Sequence, residues 1–436
     1  MAKISPISGF PEWSPEDRLI EEEIINKLKA LARSYGFMPI ETASVEHYST
    51  LASKGVVDKE LYVLRRAQAS DDAKDEGALA MHFDLTVPFA RYVSQNSHKL
   101  SFPFRRYQVQ KVWRGDRPQR GRFREFYQFD FDVVVRDALP VCLDAEVVGL
   151  VDAGLSIFDI GPHEIRINNR KILHGLYESL GVEESKRADV IRVIDKIHKI
   201  GAQKVKTELT QTLSIAEGIA DSIVQFSSKM IPATTLAELK SVATTARFQE
   251  GLDELIQIVS LVPSACRERL VYDGSLARGL DYYTGLIFEA IFKDYPEFGS
   301  CGGGGRYESL TAQFGGDAFP GVGGSLGFTR LMSLLWEVKK DLPRKKSPAQ
   351  VLIISIDDAS REKYNVVAHS LRSMGVCVEV YYKSAKMGKQ IESADSRGIP
   401  YVLFVEGDGT MSLKDLKAKE QTPVSSLEEI ATKVTR

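Results

Sequence analysis

In "SLARGLDYYTGLIFEAIF", residues 275–292, four polar side chains stand where a strand should start: Arg278, Asp281, Tyr282 and Tyr283 precede Leu286, Ile287, Phe288 and Ile291. The β-branched and aromatic excess of the second group predicts a buried strand, which puts the polar cluster at its mouth. In "FREFYQFDFDV", alternation places Arg124, Phe126, Gln128, Asp130 and Asp132 on one strand face and Phe123, Tyr127, Phe129 and Phe131 on the other. Two carboxylates, an amide and a ring opposite a buried face suit a pocket for a polar ligand. Asp84 and Thr86 in "HFDLTVP" repeat the pattern, two residues apart and so expected on a common strand face. Arg330 falls in the opening turns of a helix after a Gly-lined strand, and helix amides with a guanidinium make a polyphosphate site. Eleven of the 33 glycines lie between 299 and 327, so something approaches the backbone closely there. Acids for an amine, arginines for phosphates, rings for stacking and glycines for close approach describe a pocket for an amino acid beside a nucleotide.

Blander readings compete with each of these. Arg278 and the two tyrosines could form a surface rim, where such residues usually lie. The eight Lys and Arg residues between 105 and 124 could be a solvated hairpin or a nucleic-acid-binding β-ribbon. "CGGGGRYESL" is a weak phosphate signal alone, since it lacks the Lys and Ser or Thr of a P-loop, and no dinucleotide-binding succession is present.

Several elements must position these residues. "SPEDRLIEEEIINKLKALARSYGF" reads as a helix with Ser14 as N-cap, Pro15 at the first position and Gly36 as the stop. Its stripe of Leu19, Ile20, Ile24, Leu28, Leu31 and Ala32 predicts packing on one face. The text from 78 to 135 is strand-like, including "ALAMHFDLTVPFARY" and a long hairpin around "GDRPQRG". Residues 170–262 read as mostly helical, an insertion within a β-rich domain. After the linker "LPRKKSP", strands and helices alternate to the end, which predicts a small α/β domain with a largely buried sheet.

Composition bounds the function. The 436 residues are too many for one ordinary core, and 43% hydrophobic with 27% charged residues is globular. A formal net charge of −2 means that nucleic-acid binding must come from local patches. No apolar run spans a membrane and no signal-peptide core appears, which predicts a cytoplasmic protein with no membrane role. Cys142, Cys266, Cys301 and Cys377 lack disulfide-framework or zinc spacing, and the seven histidines are assigned to packing or surface.

At this point the residues match a family. Along essentially its whole length the chain resembles histidyl-tRNA synthetase, a class II aminoacyl-tRNA synthetase. "VWRGDRPQRGRFREFYQFDFD" looks like class II motif 2, "GSLGFTR" like motif 3, and "RGLDYYTG" with "CGGGGRYE" like two histidine-specific signatures. "FYQFDFD" is similar to the eukaryotic branch. The resemblance implies an α+β catalytic domain, residues 1–338, built on an antiparallel β-sheet flanked by helices and interrupted by a helical insertion near 175–245. A linker, 339–348, and an anticodon-binding α/β domain, 349–436, follow. The implied reaction activates L-histidine with ATP to histidyl-adenylate and pyrophosphate, then transfers histidine to the 3′-terminal adenosine of tRNA(His).

Roles carry over residue by residue. The resemblance implies that Arg114 binds the α-phosphate of ATP and the substrate carboxylate, that Arg278 stands beside that phosphate, that Arg122 and Arg330 hold the terminal phosphates, and that Phe126 stacks on adenine. It implies that Asp84 and Thr86 with Gln128 hold the α-amino group of histidine, that Leu85 belongs to the histidine site, and that Asp132 and Tyr283 bond the imidazole with Tyr282 and Tyr307 completing the pocket. Mg²⁺ is expected mainly on ATP, with no protein metal site. A homodimer through the first helix and the strand containing Pro39 is implied, with the insertion touching the acceptor arm. The sequence leaves a mitochondrial role open.

The chain departs from the pattern at Thr329, where motif 3 usually has an acid, which puts a metal or ribose role there in doubt; Asp116 and Trp113 are milder changes. Two rivals remain. A catalytically silent paralogue would characteristically lose signature residues or the last domain, and this chain keeps them. An RNA-binding scaffold leaves Asp84, Gln128 and Asp132 without a purpose.

Overall fold

The structure is a computed structural model that describes residues 5–52, 61–66, 78–277 and 282–435. The role expected of Arg278, and the position of Asp281 beside it, therefore fall outside the described residues. The chain divides into a larger unit, residues 1–11 and 24–340, and a smaller one, residues 12–23 and 341–436.

Helix α1, Pro15–Ser34, begins as the sequence indicates, with Ser14 Oγ accepting from the Asp17 backbone amide at 3.1 Å. Ile24, Leu28 and Ala32 of its stripe are buried. In the larger unit, nine of the described strands make one sheet. In chain order they are β1 (Met38–Pro39), β2 (Phe104–Trp113), β3 (Glu125–Val134), β4 (His163–Asn169), β5 (Met230–Pro232), β6 (Leu270–Asp273), β7 (Tyr283–Phe292), β8 (Gly302–Tyr307) and β9 (Gly321–Leu326). Their spatial order is β1-β2-β3-β9-β8-β7-β4-β6-β5, antiparallel throughout except for the β1–β2 and β4–β6 pairs. The expected antiparallel sheet flanked by helices is thus present.

Phe129 and Phe131, on one face of β3, are fully buried. Helix α3, Val141–Ser156, is apolar nearly all round and lies against this sheet, with Val151 close to Gly324 of β9. Wholly buried helices read this way. The segment from 170 to 262 is helical, as the sequence suggests, but it also returns Met230–Pro232 to the sheet edge as β5, a strand too short to leave a pattern.

One expectation fails. "ALAMHFDLTVPFARY" is not a continuous strand: Leu79–Met81 pairs with Val45–His47 and Val63–Leu64 in a separate small sheet, and helix α2 runs from Thr86 to Asn96. Asp84 Oδ1 accepts from the Val87 amide at 3.1 Å. A carboxylate bonded to a first-turn amide, with Pro88 just inside, is helix-start chemistry. Asp84 and Thr86 therefore do not share a strand face.

In the smaller unit, β10 (Val351–Ile353), β11 (Val378–Val380) and β12 (Tyr401–Val405) are parallel, and β13 (Met411–Asp415) and β14 (Glu420–Val424) add an antiparallel hairpin. Val351, Ile353 and Leu403 pack with Tyr364, Leu371 and Ile430, while Leu352, Val402 and Phe404 pack with Tyr381, Ala394 and Ile399. Burial on both faces explains the continuous apolar run in "AQVLIISI". The hairpin was not legible because β14 is exposed along most of its length and carries Pro423.

Candidate active site

The site grows from three neighbouring strands. β2 presents Arg106, Gln108 and Gln110 at alternate positions, and the register sets them opposite Asp132, Asp130 and Gln128 of β3. β9 continues the rows with Gly323 opposite Asp132 and Ser325 opposite Asp130. Period-two alternation on adjacent strands thus builds a grid of buried polar side chains. Such groups are costly to bury unless satisfied. Gln108 Nε2 donates to Thr42 Oγ1 at 3.1 Å and to Gln110 Oε1 at 2.6 Å, and Gln110 Nε2 donates to Thr42 O and Ser44 Oγ, each at 3.0 Å.

At one end of the grid, Arg106 Nη2 pairs with Asp132 Oδ2 at 2.5 Å, both side chains being buried. The Tyr307 hydroxyl donates to Asp132 Oδ1 at 3.0 Å. Asp132 fits only because β9 has no side chain beneath it: a Cβ on Gly323 would lie 2.0 Å from Asp132 Oδ1, and one on Gly321 would lie 2.7 Å from the Tyr307 ring. Burial pushes the Asp132 carboxyl up, and Arg106 and the Tyr307 hydroxyl pull it back. Tyr282 stacks edge-on against Tyr283 at 4.7 Å and against Tyr307 at 6.0 Å, and its hydroxyl bonds Thr86. Burial and neighbouring carboxylates raise all three phenols, so they remain protonated and available as donors.

Towards the other end lies an open cleft of about 860 Å³ lined by Arg114, Arg122, Phe126, Gln128, Glu289, Ser325 and Arg330. Arg114 Nε donates to Phe83 O at 2.9 Å, and its guanidinium sits 5.1 Å from the Phe126 ring centre. Arg330, in helix α4 (Phe328–Val338), donates from Nε to Gly121 O at 2.8 Å and from Nη1 to Ser300 O. Burial lowers its pKa, and the like charges of Arg122 and Arg114 add to the effect. Two guanidiniums held by backbone carbonyls, Arg114 and Arg330, with the like charge of Arg122 nearby, make a place where a polyanion relieves repulsion.

The sequence-derived residues therefore fall into two sets. Arg114, Arg122, Phe126, Gln128 and Arg330 line the cleft, whereas Asp84, Leu85, Thr86, Asp132, Tyr282, Tyr283 and Tyr307 lie outside its lining, with Tyr282, Tyr283 and Tyr307 packed together, Thr86 bonded to Tyr282 and Asp132 to Tyr307. Gln128 and Asp132 belong to one strand face, about 13 Å apart along β3 at the usual rise. Thr329, where an acid is usual, is buried and accepts from the Tyr127 amide at 2.8 Å, extending the support of β3 beyond its last β9 pair, Leu326 with Phe129.

Sequence reasoning missed several participants. Arg106 was counted within a basic hairpin, although the alternation in "RRYQVQ" marks Arg106, Gln108 and Gln110 as one face. His198, assigned to packing or surface, lines the cleft with Asp195 and Lys199, and its Nε2 lies 2.7 Å from Ser275 Oγ. Only the tertiary fold brings those together, so no local signal exists. Ser275 Oγ also bonds Asp273 Oδ1 at 2.6 Å, while the histidine contacts both through Nε2, so this trio lacks the Nδ1–carboxylate bond of a nucleophile triad. Among the described residues no group of three or more His, Cys, Asp or Glu forms a metal cage. Mg²⁺ carried on a nucleotide still fits this wall, because it needs one or two carboxylates plus phosphate oxygens, and Glu289 lines the cleft that Arg330 lines.

Comparison with known proteins agrees with this geometry. Residues 9–331 match the family model described as histidyl-tRNA synthetase, and residues 350–436 match the anticodon binding domain. A histidine–tRNA ligase of Thermobifida fusca is 42% identical over 96% of each chain, and one of Micrococcus luteus is 38% identical over 97% of this chain and 95% of its own. The crystal structure of histidyl-tRNA synthetase from Nostoc superposes with a TM-score of 0.86 at 34% identity, covering 100% of both chains. A protein described as an ATP phosphoribosyltransferase regulatory subunit/histidyl-tRNA synthetase from Bacillus halodurans shares the fold alone, at TM-score 0.73 and 19% identity over 89% of this chain and 96% of its own. With a family model covering most of its length and relatives this similar from end to end, the chain belongs to the histidyl-tRNA synthetase family.

Proposed function

We propose that the chain, a histidine–tRNA ligase by family, activates L-histidine with ATP in the cleft between β3, β9 and α4 and transfers it from there to tRNA(His). The observation that carries this reading is the convergence of Arg114, Arg122 and Arg330 with Phe126 on one cleft wall, at the end of a strand face whose far end is the Arg106–Asp132–Tyr307 cluster. Arginines and an aromatic ring suit a nucleoside triphosphate, and a buried carboxylate with tyrosine hydroxyls suits an imidazole.

In this reading ATP lies with adenine on Phe126 and its terminal phosphates on Arg122 and Arg330. Arg114 holds the α-phosphate against the histidine carboxylate. Asp84, Thr86 and Gln128 take the α-ammonium, Leu85 fixing the backbone between the first two, and Asp132, Tyr283, Tyr282 and Tyr307 enclose the imidazole. Arg278 is assigned beside the α-phosphate on the strength of the motif alone. The carboxylate is already ionised, so it attacks α-phosphorus without a general base and pyrophosphate leaves in line. Alignment and charge stabilisation supply the acceleration. Bound with ATP, Mg²⁺ would neutralise phosphate charge. The 3′-terminal adenosine hydroxyl of the transfer RNA then attacks the acyl carbon and releases AMP. Discrimination rests on buried polar groups that only imidazole satisfies, which can reach roughly 10⁴ without editing.

We extend the proposal to the surroundings. The C-terminal α/β unit binds the anticodon, the helical insertion meets the acceptor arm, and the protein acts in the cytoplasm; among the described residues no helix is long and apolar enough to cross a membrane. A second copy covers the strand edge at β1, where Met38 is 62% exposed. Replacing Arg330 by Ala tests the phosphate assignment through histidine-dependent ATP–pyrophosphate exchange. We expect a rise of about 10-fold or more in the KM for ATP, the worth of a charged hydrogen bond, with histidine affinity retained. An unchanged ATP dependence would overturn it.

A further inference from the structure

Asp130 is 2% exposed and belongs to none of the roles above. Its Oδ1 accepts from the Ser325 hydroxyl at 2.5 Å, and Ser325 Oγ accepts from Gln128 Nε2 at 2.8 Å. With Asp130 ionised, the directions are forced. An ionised carboxylate only accepts, so the single hydroxyl proton of Ser325 points at Asp130, and the oxygen has only lone pairs left for Gln128. The Gln128 amide must therefore turn its NH₂ towards Ser325. Its carbonyl oxygen is then the end left over, and Gln128 Oε1 is buried without a hydrogen-bond partner among the described residues. Gln128 itself is 8% exposed and lines the cleft. A buried acceptor without a donor calls for an explanation, and a ligand donor supplies one.

We propose that Asp130 and Ser325 are positioning residues that lock the Gln128 amide with its carbonyl oxygen turned to the α-ammonium of bound histidine. The inference rests on the assignment of Gln128 to that ammonium. Without the lock, the amide could present its NH₂ to the ligand, placing a donor against a cation. The register supports the arrangement, since Ser325 is the direct β9 neighbour of Asp130 and alternation puts Gln128 next along the same face of β3. Burial, together with Asp132 and Asp84, pushes Asp130 up to about 7, against the opposing pull of Arg106 and Ser325. Gln108, its β2 neighbour, is uncharged.

The test uses the full-length protein at pH 8.5, where Asp130 is ionised, and compares Asp130→Asn, Ser325→Ala, Ser325→Thr and Gln128→Ala. Two ligands are used: L-histidine as substrate, and 3-(imidazol-4-yl)propanoate, which lacks the ammonium, as competitive inhibitor of pyrophosphate exchange. Asp130→Asn and Ser325→Ala should raise the KM for histidine about 10- to 100-fold, the range for a hydrogen bond to a charged group. The inhibition constant of the analogue and the KM for ATP should stay within about 2-fold, because neither depends on the ammonium contact. Ser325→Thr, which keeps the hydroxyl, should restore the histidine KM. Equal weakening of histidine and analogue would mark a general packing defect and overturn the relay. A normal histidine KM in Asp130→Asn and Ser325→Ala beside a raised one in Gln128→Ala would overturn the relay alone. A normal KM in Gln128→Ala would overturn the assignment of Gln128 and the relay with it.

Discussion

Replacing Gly323 by Ala asks whether the glycines of β9 exist to seat Asp132. The new methyl would lie 2.0 Å from Asp132 Oδ1 and 2.5 Å from its Cγ, inside the 3.0 Å that Cβ atoms keep from other heavy atoms. Asp132 has little room to withdraw, because Arg106 Nη2 holds one oxygen at 2.5 Å and the Tyr307 hydroxyl the other at 3.0 Å. Overpacking alone costs about 1–3 kcal/mol. If Asp132 is driven off Arg106, a buried charge loses its partner and the cost rises towards about 3–5 kcal/mol. The assigned contact between Asp132 and imidazole, worth about 1.5–3 kcal/mol, is lost as well, which corresponds to about 10- to 150-fold in kcat/KM for histidine. Urea denaturation reads the first effect, and pyrophosphate exchange at varied histidine and ATP reads the second. Gly218→Ala is the control, since nothing lies within 4 Å of its Cβ position. Wild-type stability and wild-type kcat/KM for histidine in Gly323→Ala would refute the reasoning.

Further outcomes follow from other contacts. Thr329→Val keeps the shape but removes the acceptor of the Tyr127 amide, so unfolding should become easier by about 1–3 kcal/mol in urea titrations. Arg106→Met should be severely destabilised through unpaired Asp132, whereas Arg106→Met with Asp132→Leu should recover much of the stability while remaining unable to activate histidine; the comparison of denaturation with exchange checks it. Burial, then the neighbouring Arg247, Arg170 and Arg187, pushes His174 down to about 4. The native state then binds fewer protons than the unfolded state between pH 4 and 6.5, so stability should fall as pH drops through that window, and His174→Gln should flatten the slope in denaturation measured against pH.

What the sequence made legible was local. Alternation in "FREFYQFDFDV" placed Gln128, Asp130 and Asp132 on one face, and the capping signals around Ser14 and Pro15 located α1. The glycines of β8 and β9 signalled a close approach without naming what approaches; the structure answers with Tyr307 and Asp132 at Gly321 and Gly323 of β9, and with Phe288 and Tyr283 at Gly304 and Gly305 of β8. Asp84 was misread because a strand-like apolar text hid a helix start, where its carboxylate caps the local Val87 amide. The Arg106–Asp132 pair spans 26 residues and the Ser275–His198 contact 77, and no periodicity reports a partner at that distance. Thr329 looked like a gap in motif 3, and its use as a backbone acceptor appears only when β3 and α4 are seen together.

The most direct measurement is ATP–pyrophosphate exchange by the purified full-length protein with Mg²⁺, run separately with each of the twenty amino acids. Exchange is expected with L-histidine alone. Exchange with no amino acid, or with several at comparable kcat/KM, would contradict a cleft built to activate histidine.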